Sequence, residues 1–337
     1  MSGLPRPLAL AAVFAVLLAW PFASPNDYVT ALGVTFLIHV GLVAGLNLVA
    51  GHCGQVSLCH ATFFGLGAYA AGMLAARYGW TPAAGLPAAV LLSALGAALI
   101  GVPALRLHGH YLAMATLGFA AIVSVLFNEL VSLTGGPNGL LGVSGFSRDF
   151  DSPVDTPLGH YLIAWAYAGL SMWLVLRLLA SRTGRAMRAI TFSELAAGGL
   201  GVDTARVKIT VFVLSAAMAG AGGWVYVHAN QFASPETFGF HRSVLLLTAV
   251  AIGGWGRYWA PLPGALVLTM TPEVLGRLHD FEMLIFGGAL VLVLLAYPGG
   301  LSALSAAMWD RVLRPFRRRR RRGIEGDAAA SPKTARA

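Results

Sequence analysis

Unbroken apolar runs, rather than alternating or one-sided patterns, organise this chain. They lie at 8–25, 30–50, 60–78, 84–105, 111–132, 160–180, 209–229, 243–256, 260–275 and 282–297. Most approach the ~20 residues that a helix needs to cross a bilayer core. Only structures that satisfy their own backbone can span lipid, so the pattern predicts an all-α, polytopic membrane protein with about eight to ten transmembrane helices. The eighth and ninth runs are short and are joined by Gly253-Gly254-Trp255-Gly256, which leaves the number between those bounds. The first run, with Arg6 ahead of it and Phe22-Ala23-Ser24 behind, has features of a secretory signal. In so apolar a chain it reads as a first transmembrane helix.

Composition strengthens this picture. The chain has 337 residues, 57% of them hydrophobic and 11% charged. A soluble protein of that length has too little interior to hide so much apolar surface. The net charge of +9 owes most to eight arginines between Arg311 and Arg322. After a membrane span such a run reads as an anchor at anionic headgroups, not as a nucleic-acid site. The chain therefore divides into a transmembrane domain, 1–310, and a basic cytoplasmic tail, 311–337.

With that tail inside, ten spans place the amino terminus inside as well. The loop at 182–208 is then cytoplasmic, carrying Arg182, Arg185, Arg188, Arg206 and Lys208 against Glu194 and Asp203. The loop at 134–159 is external, with Asp149, Asp151 and Asp155 against Arg148. Basic loops inside and acidic loops outside fit the positive-inside pattern.

One polar stretch interrupts the apolar runs: GHCGQVSLCHATFFGLGAY, Gly51 to Tyr69. Cys53 and Cys59 are too widely spaced for a usual zinc pair, and a cytoplasmic position disfavours a disulfide. Gly51 and Gly54 interrupt the preceding helix, and Ser57 is placed to cap a new one. The stretch is either a discontinuous helix lining a pathway or a plain turn between two spans.

The segment Gly184 to Ile209 holds a second signal. Thr191-Phe192-Ser193-Glu194 fits a capping box with Thr191 as cap and Glu194 reaching back, ahead of a short helix ended by glycine. Gly135-Gly136-Pro137-Asn138-Gly139 is a turn cluster beyond a span; it either offers bare backbone groups to a zwitterion or merely reverses the chain.

Gly54, Gln55, Ser57, His60, Phe64, Gly65, Gly67, Ala68 and Tyr69 resemble the signature of permease subunits of branched-chain amino acid ABC importers, of the LivM type. HGHYLAMATLGFA (108–120), SLTGGPNGLLGV (132–143), the 234–266 segment and YPGGLSAL (297–304) are similar to further segments of that family. His52, Cys53 and Cys59 depart from its pattern, as does Ala260. The resemblance implies an ABC importer permease fold in a prokaryotic inner membrane, with both termini cytoplasmic. It implies a second homologous permease subunit, two ATP-binding cassette ATPase subunits and an external substrate-binding protein. Branched-chain amino acids are the implied cargo; urea, short amides or aromatic acids are alternatives carried by related permeases. Gly54, Gln55, Ser57 and His60, with Gly135, Gly136 and Asn138, would shape the substrate pathway. Arg185, Arg188, Glu194, Ala196, Ala197 and Gly201 would form the loop that couples to the ATPase, with Ala196 and Ala197 in its docking motif.

Absences narrow the function. The two lysines, Lys208 and Lys333, stand in no P-loop, and no paired carboxylate, nucleophile elbow or helical zinc motif supports an enzyme. No cofactor, metal or nucleic acid is expected. An ion-coupled carrier working alone keeps an ionisable group at mid-membrane. Glu129, Glu273 and Glu282 fall near span ends, leaving His39, His60 and His228 as candidates.

Overall fold

A computed structural model describes residues 6–23, 26–105, 107, 109–146, 156–274, 287–288 and 301–302. Each of the first nine apolar runs is a helix. In chain order these are α1 (Arg6–Ala23), α2 (Asp27–Ala50), α3 (His60–Tyr78), α4 (Pro82–Ala104), α5 (His110–Glu129), α6 (Val131–Thr134), α7 (Pro157–Ala180), α8 (Arg182–Phe192), α9 (Glu194–Gly199), α10 (Thr204–Asn230), α11 (Phe240–Gly253) and α12 (Pro261–Val274). The tenth run apart from 287–288, with Glu282, the YPGG segment, the acidic residues of the 147–155 loop and the basic tail lie outside the described residues. Among the described residues the only strand-like pairing is the antiparallel bridge between Leu140 and Ala233. The chain is an all-α, multi-pass membrane protein.

Local chemistry sets the helix ends. The Asn26 side chain accepts from the Tyr28 amide at 3.0 Å to start α2, and Asp203 accepts from the Arg206 amide at 3.0 Å to start α10. Pro82 and Pro157 occupy first turns, where a missing amide proton costs nothing. Ser57 does not cap α3, contrary to expectation: the helix starts at His60, behind Cys59, and Ser57 stays in the extended approach. Thr191 is likewise not the cap of the second element. It closes α8, and Ser193 caps α9 by accepting from the Ala196 amide at 3.3 Å. The chain kinks two residues later than the capping-box pattern suggests, because Thr191 spends its hydroxyl elsewhere.

Among the described residues α2, α4, α5, α7 and α10 are long and apolar enough to cross a membrane. α3 has the length but is less apolar, and it lies deep in the bundle, shielded from lipid by protein. α11 and α12, at 14 residues each, rise only about 21 Å. The centre is the crossing of α3 with α10. A Cβ at Gly67 would sit 2.2 Å from the Gly220 carbonyl oxygen, and one at Gly223 would sit 2.1 Å from that of Phe64. Small residues here let two backbones meet, the usual device where lipid supplies no hydrophobic drive between helices. Ser93 on α4 ties in by donating to the Phe63 carbonyl at 2.9 Å.

Candidate functional site

The polar break after α2 is both a turn and an ascent. Gly51 to Gly54 reverse the chain, and residues 55–59 climb back beside α2 without helical structure before α3 begins. The His60 ring donates through Nε2 to the Leu42 carbonyl at 3.0 Å, eight residues before α2 ends. α3 therefore starts about 12 Å above the end of α2. Non-helical backbone at that depth must be satisfied by protein. Gln55 N donates to Val49 O at 3.0 Å, Leu58 N to Thr116 Oγ1 at 3.1 Å, and Ala61 N to Ser243 Oγ at 3.1 Å. Three helices, α2, α5 and α11, thus hold this stretch.

Its predicted site residues separate by exposure. Gly54 is exposed and Gln55 half-exposed, whereas Ser57 and His60 are buried. His60 braces α2 to α3, beside Ser215 of α10. Ser57 Oγ lies 3.3 Å from Cys59 Sγ. Cys53 and Cys59 are buried, and among the described residues no group of three or more His, Cys, Asp or Glu could hold a metal.

Beneath the break the 254–260 turn is fastened to α2. Asn47 Oδ1 accepts from Gly256 N at 3.1 Å, and Asn47 Nδ2 donates to Arg257 O at 2.9 Å. The cavity beside these turns is lined in part by His52, Arg188, Thr191, Phe192 and Trp259, so it opens toward α8.

Gly135, Gly136 and Asn138 lie elsewhere. Their turn joins α10's far end through the Leu140–Ala233 bridge, and Leu140 packs near Gly72, about 18 Å along α3 from His60. Gly135 N bonds Val131 O, Gly136 N bonds Thr134 Oγ1, and Gly139 N bonds Gly136 O, each at 3.0 to 3.1 Å. These amides serve the turn itself. Asn138 is exposed.

The segment α8–α9 sits at the same end as the break. Thr191 Oγ1 lies 2.7 Å from His52 O and 2.9 Å from Met187 O, sharing its proton between them. Glu194 holds the ammonium of Lys208 with both oxygens at 2.5 Å, and that Lys208 side chain is 1% exposed. Arg188 donates to Leu179 O at 3.2 Å, and Arg185 is exposed on the outer face. Ala196 and Gly201 are exposed, but Ala197 is buried under α9 and presents no outer surface. The surface is made instead by Phe192, Leu195 and Leu200, at 94%, 91% and 83% exposure. Beyond the lipid-facing spans, such apolar side chains mark a contact surface. Their identity was readable in the chain, but their direction was not.

Sequence reasoning also passed over Arg242. It stands one residue before the eighth apolar run and reads as a flank; in the fold it lies on the first turn of α11. Its guanidinium donates to His39 Nε2 at 2.7 Å, and His39 Nδ1 lies 2.7 Å from Thr269 Oγ1. His39 is the middle of α2, about 18 Å from its first residue and about 17 Å from its last.

Comparison with known proteins gives a consistent result. The profile of the family described as "Branched-chain amino acid transport system / permease component" matches residues 27–294. The high-affinity branched-chain amino acid transport system permease protein LivM of Salmonella typhimurium is 35% identical over 325 residues, covering 89% of this chain and 76% of that protein. LivM of Escherichia coli K12 is 35% identical over the same shares. The permease protein LivH of Escherichia coli K12 is 28% identical over 289 residues, 80% of this chain and 92% of that protein. No solved structure matches.

Proposed function

The chain belongs to the family of branched-chain amino acid transport permease components, and we propose that it is the membrane-spanning subunit of an ATP-driven importer for leucine, isoleucine and valine. The observation that carries this reading is the 35% identity to LivM over 89% of the chain. In this reading the chain sits in a prokaryotic inner membrane with both termini cytoplasmic and pairs with a second, LivH-like permease. An external binding protein delivers the cargo, and two partner ATPases hydrolyse ATP; the chain itself is not catalytic.

Within it, α8–α9 is the element that receives the ATPase. Phe192, Leu195 and Leu200 supply exposed apolar knobs, while Glu194–Lys208 and Thr191–His52 tie the segment to α10 and to the polar break. Motion of the docked segment is thereby passed to the start of α3, through the chain of Gly51 to His60.

The test is uptake of radiolabelled leucine by cells lacking the chain and by cells in which it is restored. Restored uptake that survives collapse of ion gradients but not ATP depletion supports the reading. Uptake that follows the ion gradient instead would replace it with a secondary carrier.

A further inference from the structure

We propose that the cavity between α8 and the 254–260 turn holds the phosphate of an anionic phospholipid, gripped by Arg188 and Arg257. The inference rests on the permease reading above, which places α8 at the cytoplasmic face. The cavity measures about 650 Å³, within the range of small-molecule sites. Arg188 stands on α8 and Arg257 on the turn after α11; both line the cavity and both are exposed. Arg188 donates to the Leu179 carbonyl at 3.2 Å, which uses one of its several donors. Neither arginine forms an ion pair with a described residue, and no carboxylate is among the described residues that line the cavity. Two permanent cations thus border one space with no anion among the described residues to balance them.

The depth of the cavity favours a lipid over a soluble anion. Leu179 lines it from the last turn of α7. Two residues earlier Arg177 lies over the ring of Trp173, 5.2 Å from its centroid, and Trp173 is itself exposed. A tryptophan paired with an arginine stem at the end of a span marks the boundary between hydrocarbon and headgroups. At that level anionic lipids of the cytoplasmic leaflet meet basic side chains. Leu179 and Trp259 add apolar surface beside the two arginines. The lining therefore suits a phosphate, which takes a guanidinium fork, and the apolar chain that carries it. A zwitterionic headgroup fits less well, because its own cation enters a site that is already positive. The walls also include Thr191 and His52, in contact at 2.7 Å, and Gly256, whose amide Asn47 holds. A phosphate shared by Arg188 and Arg257 links α8 to the turn fastened on α2. Lipid charge in this account regulates how firmly α8 is joined to the polar break.

The experiment uses the assembled transporter. In detergent, phosphatidylglycerol is expected to raise its melting temperature by several degrees more than phosphatidylcholine or glycerol phosphate does. In vesicles that mix phosphatidylcholine with phosphatidylglycerol, leucine uptake is expected to exceed that in phosphatidylcholine alone at least threefold. Arg188→Gln combined with Arg257→Gln is expected to keep the melting temperature found with phosphatidylcholine but to lose both responses to phosphatidylglycerol. Unchanged responses in the double variant, or none in the unsubstituted transporter, would overturn the proposal. A shift with glycerol phosphate as large as that with phosphatidylglycerol would overturn it in favour of a soluble phosphate ester. If the double variant does not assemble, a phosphatidylglycerol with a photoactivatable headgroup is cross-linked to the unsubstituted transporter. Adducts on α8 or the 254–260 turn support the site; adducts confined to other segments overturn it. Absence of leucine uptake in every lipid, with the melting shift and its loss in the variant intact, would leave the site standing and remove the permease reading beneath it.

Discussion

Two glycine-rich reversals, Gly51 to His60 and Gly135 to Gly139, look alike along the chain and differ in what closes them. The second closes on itself: its amides bond Val131, Thr134 and Gly136 within the same turn. The first closes on others, through Thr116 of α5, Ser243 of α11, Leu42 of α2 and Thr191 of α8. Beyond its own amides the second turn is tied to one further segment, through the Leu140–Ala233 bridge. A turn whose polar groups are completed by four separate helices moves only when they move. That difference supports the proposed transmission through the first turn.

Substitutions at the two reversals and at α8–α9 break or sharpen the contrast. The largest effect is expected for Gly51→Ala. The new Cβ would stand 2.1 Å from Asn47 Oδ1 and 2.4 Å from Gly256 N, so the backbone of the 254–260 turn must shift. Overpacking of this kind costs about 1–3 kcal/mol or more, and leucine uptake should fall well over tenfold with a lower melting temperature. Wild-type uptake would show that the two turns are not rigidly joined.

Next is a pair on α9. Leu195→Arg changes an exposed side chain, so the protein should remain folded but lose ATPase co-purification and uptake together. Ala197→Arg forces a long cation into a buried position and should lower the amount of folded protein in the membrane. If instead Ala197→Arg folds normally and only uncouples the ATPase, then Ala197 rather than Leu195 marks the docking face.

Glu194→Gln follows. It leaves the buried Lys208 ammonium without its carboxylate, a loss of about 3–5 kcal/mol for a fully buried pair. Glu194 is 29% exposed, which reduces this to about 2–4 kcal/mol. Adding Lys208→Met should return most of that stability, and thermal unfolding of the single and double variants measures it. Additive losses would mean that the two groups do not act as a pair.

A smaller effect is expected at Cys53. Burial pushes its thiol up to about 11, so it stays protonated near neutral pH. Maleimide at pH 7.5 should label it only after denaturation, and replacement of Cys53 and Cys59 by serine should leave uptake near wild type. Fast native labelling would mean that the break opens to water.

Asn138→Ala should change least, within about 0.5 kcal/mol and with unaltered uptake, as for an exposed surface residue. Lost uptake at normal stability would return the second turn to the pathway.

Much of the architecture was legible in the chain because burial in a bilayer constrains composition directly. An apolar run of bilayer length has few alternatives to a helix, so α2, α3 and α7 fall within three residues of the limits that hydropathy suggests. Positions such as Asn26 and Pro157 announce helix starts by chemistry that acts within one turn. The direction of side chains was not legible. Ala197 and Leu195 are two residues apart in one short helix, yet one is covered and the other bare, and only the packing of α9 on its neighbours decides which. The same holds for partners distant in sequence. Arg242 reads as the flank of a span, and nothing near it predicts His39, 203 residues away. That α11 begins in the middle of the bundle, and not at its surface, is a property of how α2, α3 and α12 assemble around it. Local sequence encodes helices because their hydrogen bonds are local; depth, facing and charge placement are decided by contacts that exist only after the helices have met.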